Sequence, residues 1–544
     1  MTDNLATESI SQLENNKVVK KISAPSSKMK NLGAYYTPQN VSKIICQKLL
    51  NNKHFARVLE PSCGNGSFLK NIKSKNIQKL VAIERDFQIA TSVRLKYQSS
   101  KIEIIHDDFL NYFEGNKSKK FDLIIGNPPF IKYSLMTKKQ ATLGKSLLTD
   151  LNINPSIFSN CWELFLILSL NLLEKNGTIC FILPYEILQT NYAENLKKIL
   201  FKHLNYVEFS IIEENIFPDL QQRVVIFKGI NNYKKTGTYF KNYRTVSDFE
   251  KDIPTRTTKF TVNEHQKKWS AFDSLGEKIN QYNEIAHLFK RAKDLTENHT
   301  GIVTGANAYF IKSAQEIKKY KLNKFKKLII QKGSCVNNML IVKKADILKL
   351  NKLAVPNYLV SIDNKEIPKA YLKIGKKLDI HTRYKSRNRT PWYKVPITKS
   401  GELLFFKRCS KYPKLILNED KIHATDSAYC IHMREGYDKF SFLASFYNSL
   451  TLMYCELLGR SYGGGVLELT PNEFRELPIP YVKLKKNDVR KLDSMLRKNK
   501  SLEQIIDFID TTVLIKNHNF SKATVDEIST ARKLLADNRY KIYK

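Results

Sequence analysis

The chain has 544 residues, 42% hydrophobic and 26% charged, which leaves room for two to four folded domains and argues against global disorder. Ninety Lys and Arg against 52 Asp and Glu give a net charge of +38. That excess points to a polyanionic partner, nucleic acid before a membrane surface, with a general lysine enrichment that serves only solubility as the plain alternative. No apolar run approaches the ~20 residues that span a bilayer. The start MTDNLATESI lacks the basic and apolar parts of a signal peptide, and the eight Cys are scattered without a Cys-x-x-Cys pair. The chain therefore reads as cytoplasmic, with reduced thiols, no metal site and no membrane contact.

In chain order, residues 1–32 read as a polar arm. Residues 33–230 alternate strand-length apolar runs (Val58-Leu59, Leu80 to Ile83, Ile102 to Ile105, Leu123 to Ile125, Ile179 to Leu183) with helical patterns. That alternation predicts a parallel sheet covered by helices, an α/β domain. Val207 to Ile212 and Val224 to Phe227 predict an antiparallel pair closing the sheet edge. Near residue 231 the composition shifts to Lys, Asn, Tyr and Thr, and a domain boundary is placed there. Residues 231–483 form an irregular, basic, mixed α+β region, and residues 484–544 a helical C-terminal segment with Leu492, Leu496, Ile505, Ile506 and Ile509 at helical spacing.

The first strand ends in Glu60 and runs into Pro61-Ser62-Cys63-Gly64-Asn65-Gly66-Ser67, with a helix predicted to open at Phe68. Glycines there let the backbone turn and approach a ligand, but the third glycine of a dinucleotide fingerprint is missing, so no pyrophosphate is implied. Glu84 ends the second strand and suits a ribose diol. Asp108 follows the third strand, beside Phe109. The carboxylate can accept from an adenine amino group while the ring packs on the base. Glu84 as a solvated strand end and Asp108 as a helix N-cap are the plain alternatives. Three carboxylates at three successive strand ends fit the place where open α/β sheets bind ligands.

The fourth strand runs directly into Asn127-Pro128-Pro129-Phe130. Two prolines stiffen the loop and present carbonyl oxygens. The Asn127 amide oxygen and the Pro128 carbonyl can both accept from one NH2 group, and Phe130 can stack on a base. An adenine amino nitrogen is a poor nucleophile because its lone pair is delocalised. Two acceptors that hold its hydrogens favour a tetrahedral nitrogen, so positioning and fixed dipoles supply the catalysis.

These motifs resemble the amino-methyltransferases with a D/N-P-P-Y/F signature, specifically the gamma-class, TaqI-like N6-adenine DNA methyltransferases of bacterial restriction–modification systems. Gly33-Ala34-Tyr35-Tyr36-Thr37-Pro38 is similar to the family's cofactor-clasping segment, which would bring Tyr36 and Thr37 to the cofactor. Ile216-Phe217-Pro218 with Val224 to Phe227 is similar to the motif whose aromatic, here Phe217, faces the other side of a flipped base; Phe217 as a core residue is the alternative. Gly301 to Asn307, Gly463 to Pro471 and Leu477-Pro478-Ile479-Pro480 resemble target-recognition segments. Phe130 departs from the commoner Tyr, keeping the ring and losing a hydroxyl. Cys63 follows no Pro-Cys pattern, so a covalent cytosine mechanism finds no support.

The resemblance implies a class I S-adenosylmethionine-dependent (Rossmann-like) domain followed by a target-recognition domain. It implies S-adenosylmethionine as cofactor and transfer of its methyl group to N6 of a flipped-out adenine in double-stranded DNA. It also implies a monomer and a separately encoded cognate restriction endonuclease. Glu60, Ser62, Gly64, Gly66, Glu84, Asp108, Phe109 and Asn127 would line the cofactor. Arg383, Lys385, Arg387 and Arg389, with Trp392 and Tyr393, form a basic, aromatic cluster suited to phosphate or base contact, or else a solvated loop. An RNA adenine methyltransferase, and a modification or specificity subunit that needs partners, are the competing readings.

Overall fold

Leu123, Ile124 and Ile125 are all fully buried. Consecutive burial of this kind needs cover on both faces of a sheet, which is the environment of parallel strands joined by helices. The computed structural model describes residues 35–51, 53–157, 159–189, 193–217, 223–260, 275–276, 278–361, 368–462 and 465–541. The chain divides into two units, Met1–Glu277 and Lys278–Lys544.

In the first unit, α1 (Gln39–Leu50) precedes β1 (Phe55–Glu60) and β2 (Ile77–Glu84). Then come α2 (Phe87–Tyr97), β3 (Ile102–His106), α3 (Phe109–Gly115), β4 (Phe121–Gly126), α4 (Lys138–Asp150), α5 (Cys161–Asn171) and β5 (Leu173–Pro184). β6 (Tyr206–Ile212), β7 (Val224–Ile230), β8 (Gly237–Tyr243) and β9 (Arg256–Phe260) follow. Among the described residues, these nine strands form one sheet in the order β3-β2-β1-β4-β5-β7-β6-β8-β9. β1 to β5 pair in parallel, and β7 runs antiparallel between β5 and β6. The architecture is the class I methyltransferase α/β fold that the resemblance implies.

β1 is the first strand in sequence, yet it lies between β2 and β4. The chain order reverses there, and the loops leaving the two strands diverge to open a crevice at their carboxyl ends. Val58 and Leu59 pair with Leu123 and Ile124, which sets the glycine loop beside the Asn-Pro-Pro-Phe loop.

Three expectations are corrected. β6 and β7 do pair antiparallel, with Phe209 opposite Phe227, but they do not close the sheet, because β8 and β9 extend it beyond β6. The boundary expected near residue 231 therefore moves to Glu277. The Lys-, Tyr- and Thr-rich stretch is β8, a strand between β6 and β9: Tyr239, Phe240 and Tyr243 are buried while Lys241 and Asn242 stay partly exposed. The helix expected at Phe68 is only a short 3-10 turn, Leu69–Asn71, anchored by the buried Phe68 and Leu69.

The second unit is mixed α+β. Its five-stranded sheet runs Thr296–Thr300, Ala428–Met433, Leu403–Phe406, Lys414–Asn418, Ile341–Val342, with four-stranded and three-stranded sheets besides. From Lys486 to Lys541 the chain is largely helical, as Lys486–Arg497, Leu502–Ile509, a π-helical turn at Asp510–Asn517, and Lys522–Lys541. They are part of this unit rather than an appended segment. Asp493 accepts hydrogen bonds from the backbone N–H groups of Leu340 and Ile341 at 2.7 and 2.9 Å. Arg539 pairs with Glu456 at 2.8 Å. Both charged residues of that pair are almost fully buried, so losing either would strand the other, at a cost of about 3–5 kcal/mol.

Candidate active site

A cavity of about 720 Å³ opens at the carboxyl ends of β1 to β4, within the size range of small-ligand sites. Its walls come from successive strand ends: Glu60 to Gly64 after β1, Glu84 to Phe87 after β2, His106 to Asn111 after β3, and Asn127 to Ile131 after β4. Tyr35, Tyr36 and Thr37 complete it from the segment that enters α1.

That segment is stitched to both loops. Ser67 Oγ donates to the Thr37 carbonyl at 2.9 Å, and Asn127 Nδ2 donates to the Tyr35 carbonyl at 2.9 Å. Ser62 Oγ donates to the Asn127 carbonyl at 3.2 Å. Gly64 has φ +51°, and a Cβ there would stand 3.0 Å from the Tyr36 ring, so the aromatic can close over the loop only because position 64 has no side chain. Burial, with Glu84 and Asp86 nearby, pushes the Tyr36 hydroxyl up to about 12.

The amide of Asn127 has one possible orientation, because a carbonyl can only accept and so Nδ2 must face Tyr35. Its Oδ1 is left buried with no hydrogen-bond partner in the structure. Glu60 is in the same condition: it is 1% exposed, and its Oε2 has no partner. Burial, and then the neighbouring Glu84, hold the Glu60 carboxyl well above its usual range. Glu84 is raised too, chiefly by burial, against hydrogen bonds that it accepts from Gly64 N–H (2.9 Å) and Asp86 N–H (2.8 Å). Buried acceptors without donors cost free energy, and such groups recur where a ligand is to supply the partner.

The electrostatics are opposite to those of the chain as a whole. Glu60, Glu84, Asp86, Asp107 and Asp108 line the cavity, against Arg85 and Lys139. A ligand bearing positive charge fits such a wall. S-adenosylmethionine carries a sulfonium and an ammonium, and its adenosine offers donors to carboxylates and a face to aromatic rings. The residues present fit it, with Glu60 the acceptor that still wants a donor. Phe109 lies on the wall with its ring 4.9 Å from that of Phe165.

Asp108 does cap a helix, accepting from Leu110 N–H at 3.0 Å through Oδ1. It lines the cavity as well. Two assignments are corrected. Gly66 is not on the cavity wall; a Cβ there would stand 2.7 Å from the Tyr97 ring, so this glycine admits a packing aromatic rather than a ligand. Phe217 is 5% exposed and belongs to the hydrophobic core against which Phe130 packs, so it does not face the cavity. Pro218 lies outside the described residues, as do Gly33, Ala34, Gly463 and Gly464. Phe130 itself stands on the wall with Pro128 and Pro129.

Sequence reasoning missed the wall contributed after the Asn-Pro-Pro-Phe loop: Leu135, Met136, Gln140 and Leu143, with Cys161 and Phe165 behind. One signal was legible, since Thr137 with Gln140 three residues on is a capping-box pattern that starts a helix. Which side of that helix meets the cavity is a tertiary matter.

In the second unit, the basic cluster separates into two kinds of residue. Arg383, Lys385 and Arg387 are exposed, beside the exposed Tyr384. Arg387 and Lys385 sit over the Tyr384 ring at 5.4 and 5.6 Å. Arg389 instead donates to the carbonyls of Val303 and Thr304 at 2.8 and 2.9 Å, pinning the Gly301 to Asn307 loop, and is committed to structure. Trp392 and Tyr393 pack on the core around Tyr309 and Tyr371. Both rings stay partly exposed. Among the described residues no group of three or more His, Cys, Asp or Glu could hold a metal ion, and no helix is long and apolar enough to cross a membrane.

Residues 26–217 match the family described as Eco57I restriction-modification methylase, and residues 266–514 match the C-terminal domain of type II methyltransferase M.Eco57I. Type II methyltransferase M.AccI of Acinetobacter calcoaceticus is 25% identical over 472 residues, covering 82% of this chain and 85% of its own. M.HincII of Haemophilus influenzae is 29% identical over 208 residues, 38% of each chain. Modification methylase CviBIII of Paramecium bursaria Chlorella virus NC1A is 26% identical over 304 residues, 52% of this chain and 74% of its own. Among solved structures, the type IIG restriction endonuclease BpuSI aligns with a TM-score of 0.40 at 15% identity, over 94% of this chain and 66% of that one. The DrdV–DNA complex aligns at 0.47 and 11%, over 88% and 57%.

Proposed function

Since the chain belongs to the Eco57I-like type II restriction–modification methyltransferases, we propose that it methylates the N6 amino group of a flipped-out adenine in double-stranded DNA, with S-adenosylmethionine as donor. One observation carries the reading: Tyr35 orients the Asn127 amide, which leaves a buried, partnerless oxygen on a residue that lines the cavity together with Pro128, Pro129 and Phe130.

When bound, S-adenosylmethionine supplies an electrophilic methyl group on its sulfonium. Glu60, Glu84 and Asp108 hold its ammonium, ribose and adenine ends, and Tyr36, closed over Gly64, shields the loop beneath. The chain's own contribution to the chemistry lies in Asn127. Its Oδ1, with the Pro128 carbonyl, accepts the hydrogens of the target amino group, which localises the nitrogen lone pair and aims it. Because the amide is already fixed by Tyr35 and by two prolines, no dipole has to reorganise as charge develops. Phe130 offers its ring to the base, and the stack lowers the cost of taking the base out of the duplex. The +38 charge and the exposed Arg383, Lys385 and Arg387 suit a phosphate backbone. A separately encoded endonuclease would be blocked by the modified base.

The experiment is incubation of the isolated protein with cofactor carrying a labelled methyl group and with duplex DNA, RNA or protein, followed by mass spectrometry of digested nucleosides. N6-methyladenine in the DNA is expected. N4-methylcytosine would overturn the target base, label confined to RNA would overturn the DNA assignment, and no label in any substrate would favour a subunit that needs partners.

A further inference from the structure

α4 begins with a capping box whose glutamine does more than cap. Gln140 Oε1 accepts from Thr137 N–H at 3.2 Å and from Thr137 Oγ1 at 3.0 Å. With the oxygen so occupied, the amide nitrogen must point the other way, and Nε2 donates to Asp108 Oδ2 at 2.7 Å. That last bond contributes nothing to capping α4. It joins the N-terminus of α4 to the N-terminus of α3, where Asp108 Oδ1 accepts from Leu110 N–H at 3.0 Å.

We propose that Gln140 is a positioning residue for the cofactor: it fixes the plane of the Asp108 carboxylate so that this group receives the adenine amino group. The proposal rests on the reading of the cavity as an S-adenosylmethionine site. A carboxylate held by one oxygen can pivot about its terminal torsion, which is a soft one. Bonds to both oxygens stop the pivot. Each oxygen offers about two lone-pair directions, so a ligand can still be accepted after both bonds are made. Gln140 also sits on the cavity wall, as do Leu135 and Met136 just before it. Those residues continue the chain that leaves Phe130, so one amide ties the adenine end of the cavity to the segment that follows the catalytic loop.

The test is calorimetric titration of the full-length protein with S-adenosylhomocysteine, a probe that needs no turnover, over about pH 5.5 to 8.5. Gln140→Ala should weaken binding about tenfold, the loss of one hydrogen bond to a charged group. Gln140→Glu places a second carboxyl against Asp108, and two carboxyls at that distance share a proton. Its affinity should match the parent at the acid end, where the shared proton keeps the link, and fall about tenfold as the pH rises and the proton leaves. Asp107, Arg85, His106, Lys139 and the Cys161 thiol, with Glu60, Glu84, Asp86, Tyr35, Tyr36 and Cys63, are the other titratable groups that line the cavity. They are common to parent and variant and cancel in the comparison. A role confined to helix capping would lower the melting temperature of Gln140→Ala, spare Gln140→Glu, which can still complete the capping box, and leave the affinity of Gln140→Glu parent-like at every pH; that outcome would overturn the proposal. So would parent-like affinity in both variants, while leaving the cofactor reading intact. A parent protein that does not bind the probe would overturn the proposal and the cofactor reading together.

Discussion

The amide nitrogen of Asn127 and the carbonyl of Tyr35 are 2.9 Å apart, and this one bond decides which atom of the Asn127 amide is left without a partner. Tyr35 stands before α1 and Asn127 after β4, so the N-terminal segment orients a group that the sheet supplies. Asn127→Ala should therefore lower single-turnover methylation by about 10²–10³-fold with folding preserved, because Pro128 and Pro129 still hold the loop. Asn127→Asp should be impaired as well, since it sets a carboxylate oxygen against the Tyr35 carbonyl, and its activity should improve as the pH falls and that oxygen is protonated. Full activity in Asn127→Ala would overturn the mechanism.

Glu60 is a buried carboxyl held well above its ordinary range by burial and by Glu84. A carboxyl raised on folding adds stability that is full below its unfolded pKa and is lost as the pH rises. At neutral pH Glu60 is thus a burden on the protein without ligand. Glu60→Gln should raise the melting temperature of the free protein at about pH 7.5 and lower its affinity for S-adenosylmethionine, because the ligand's ammonium loses its carboxylate. Thermal shift and calorimetry read the two effects. A variant that binds as tightly as the parent would remove Glu60 from the site.

The division within the basic cluster predicts two different phenotypes. Replacing Arg383, Lys385 and Arg387 together by Ala should weaken DNA binding and flatten its salt dependence, by roughly 0.9 in the log–log slope for each phosphate that is no longer neutralised. Arg389→Ala should act first on stability, because the carbonyls of Val303 and Thr304 lose their shared donor. Fluorescence anisotropy across a salt series, with thermal unfolding alongside, separates the two. An unchanged slope in the triple variant would assign the DNA footprint to other residues.

Asp510 accepts from the Ser449 N–H and hydroxyl at 2.7 and 2.6 Å, yet burial still pushes its carboxyl from 3.8 up to about 6. The stability that it contributes is full below about pH 4 and is lost as the pH rises through about 6. Asparagine keeps an acceptor for the N–H and does not ionise. Asp510→Asn should gain on the parent between about pH 4 and pH 7, by on the order of 2–3 kcal/mol. Urea unfolding of both proteins at several pH values measures the difference. A difference that is independent of pH would contradict this account.

The residues by themselves determined the strands and what ends them. Leu123 to Ile125 is a short apolar run stopped at once by Gly126-Asn127-Pro128-Pro129, which favours a buried strand over a helix, and Glu60, Glu84, Asp108 and Asn127 each stand where such a run stops. Periodicity and chain stiffness are local properties, so a sequence carries them directly. What only the tertiary structure decided is which atoms meet. Asp108 reads as a helix cap or as a ligand acceptor until Gln140, from a helix later in the chain, is seen to hold its other oxygen. Phe217 reads as a base-facing ring, and Arg389 as a phosphate- or base-contacting group, until packing sets the first in a core and the second against backbone carbonyls. The stretch after residue 231 reads as the start of a second domain until β8 pairs with β6. Aromatic, basic and amide side chains serve equally well inside a fold or against a ligand, and the choice is made by neighbours distant in sequence, whose approach composition and spacing do not encode.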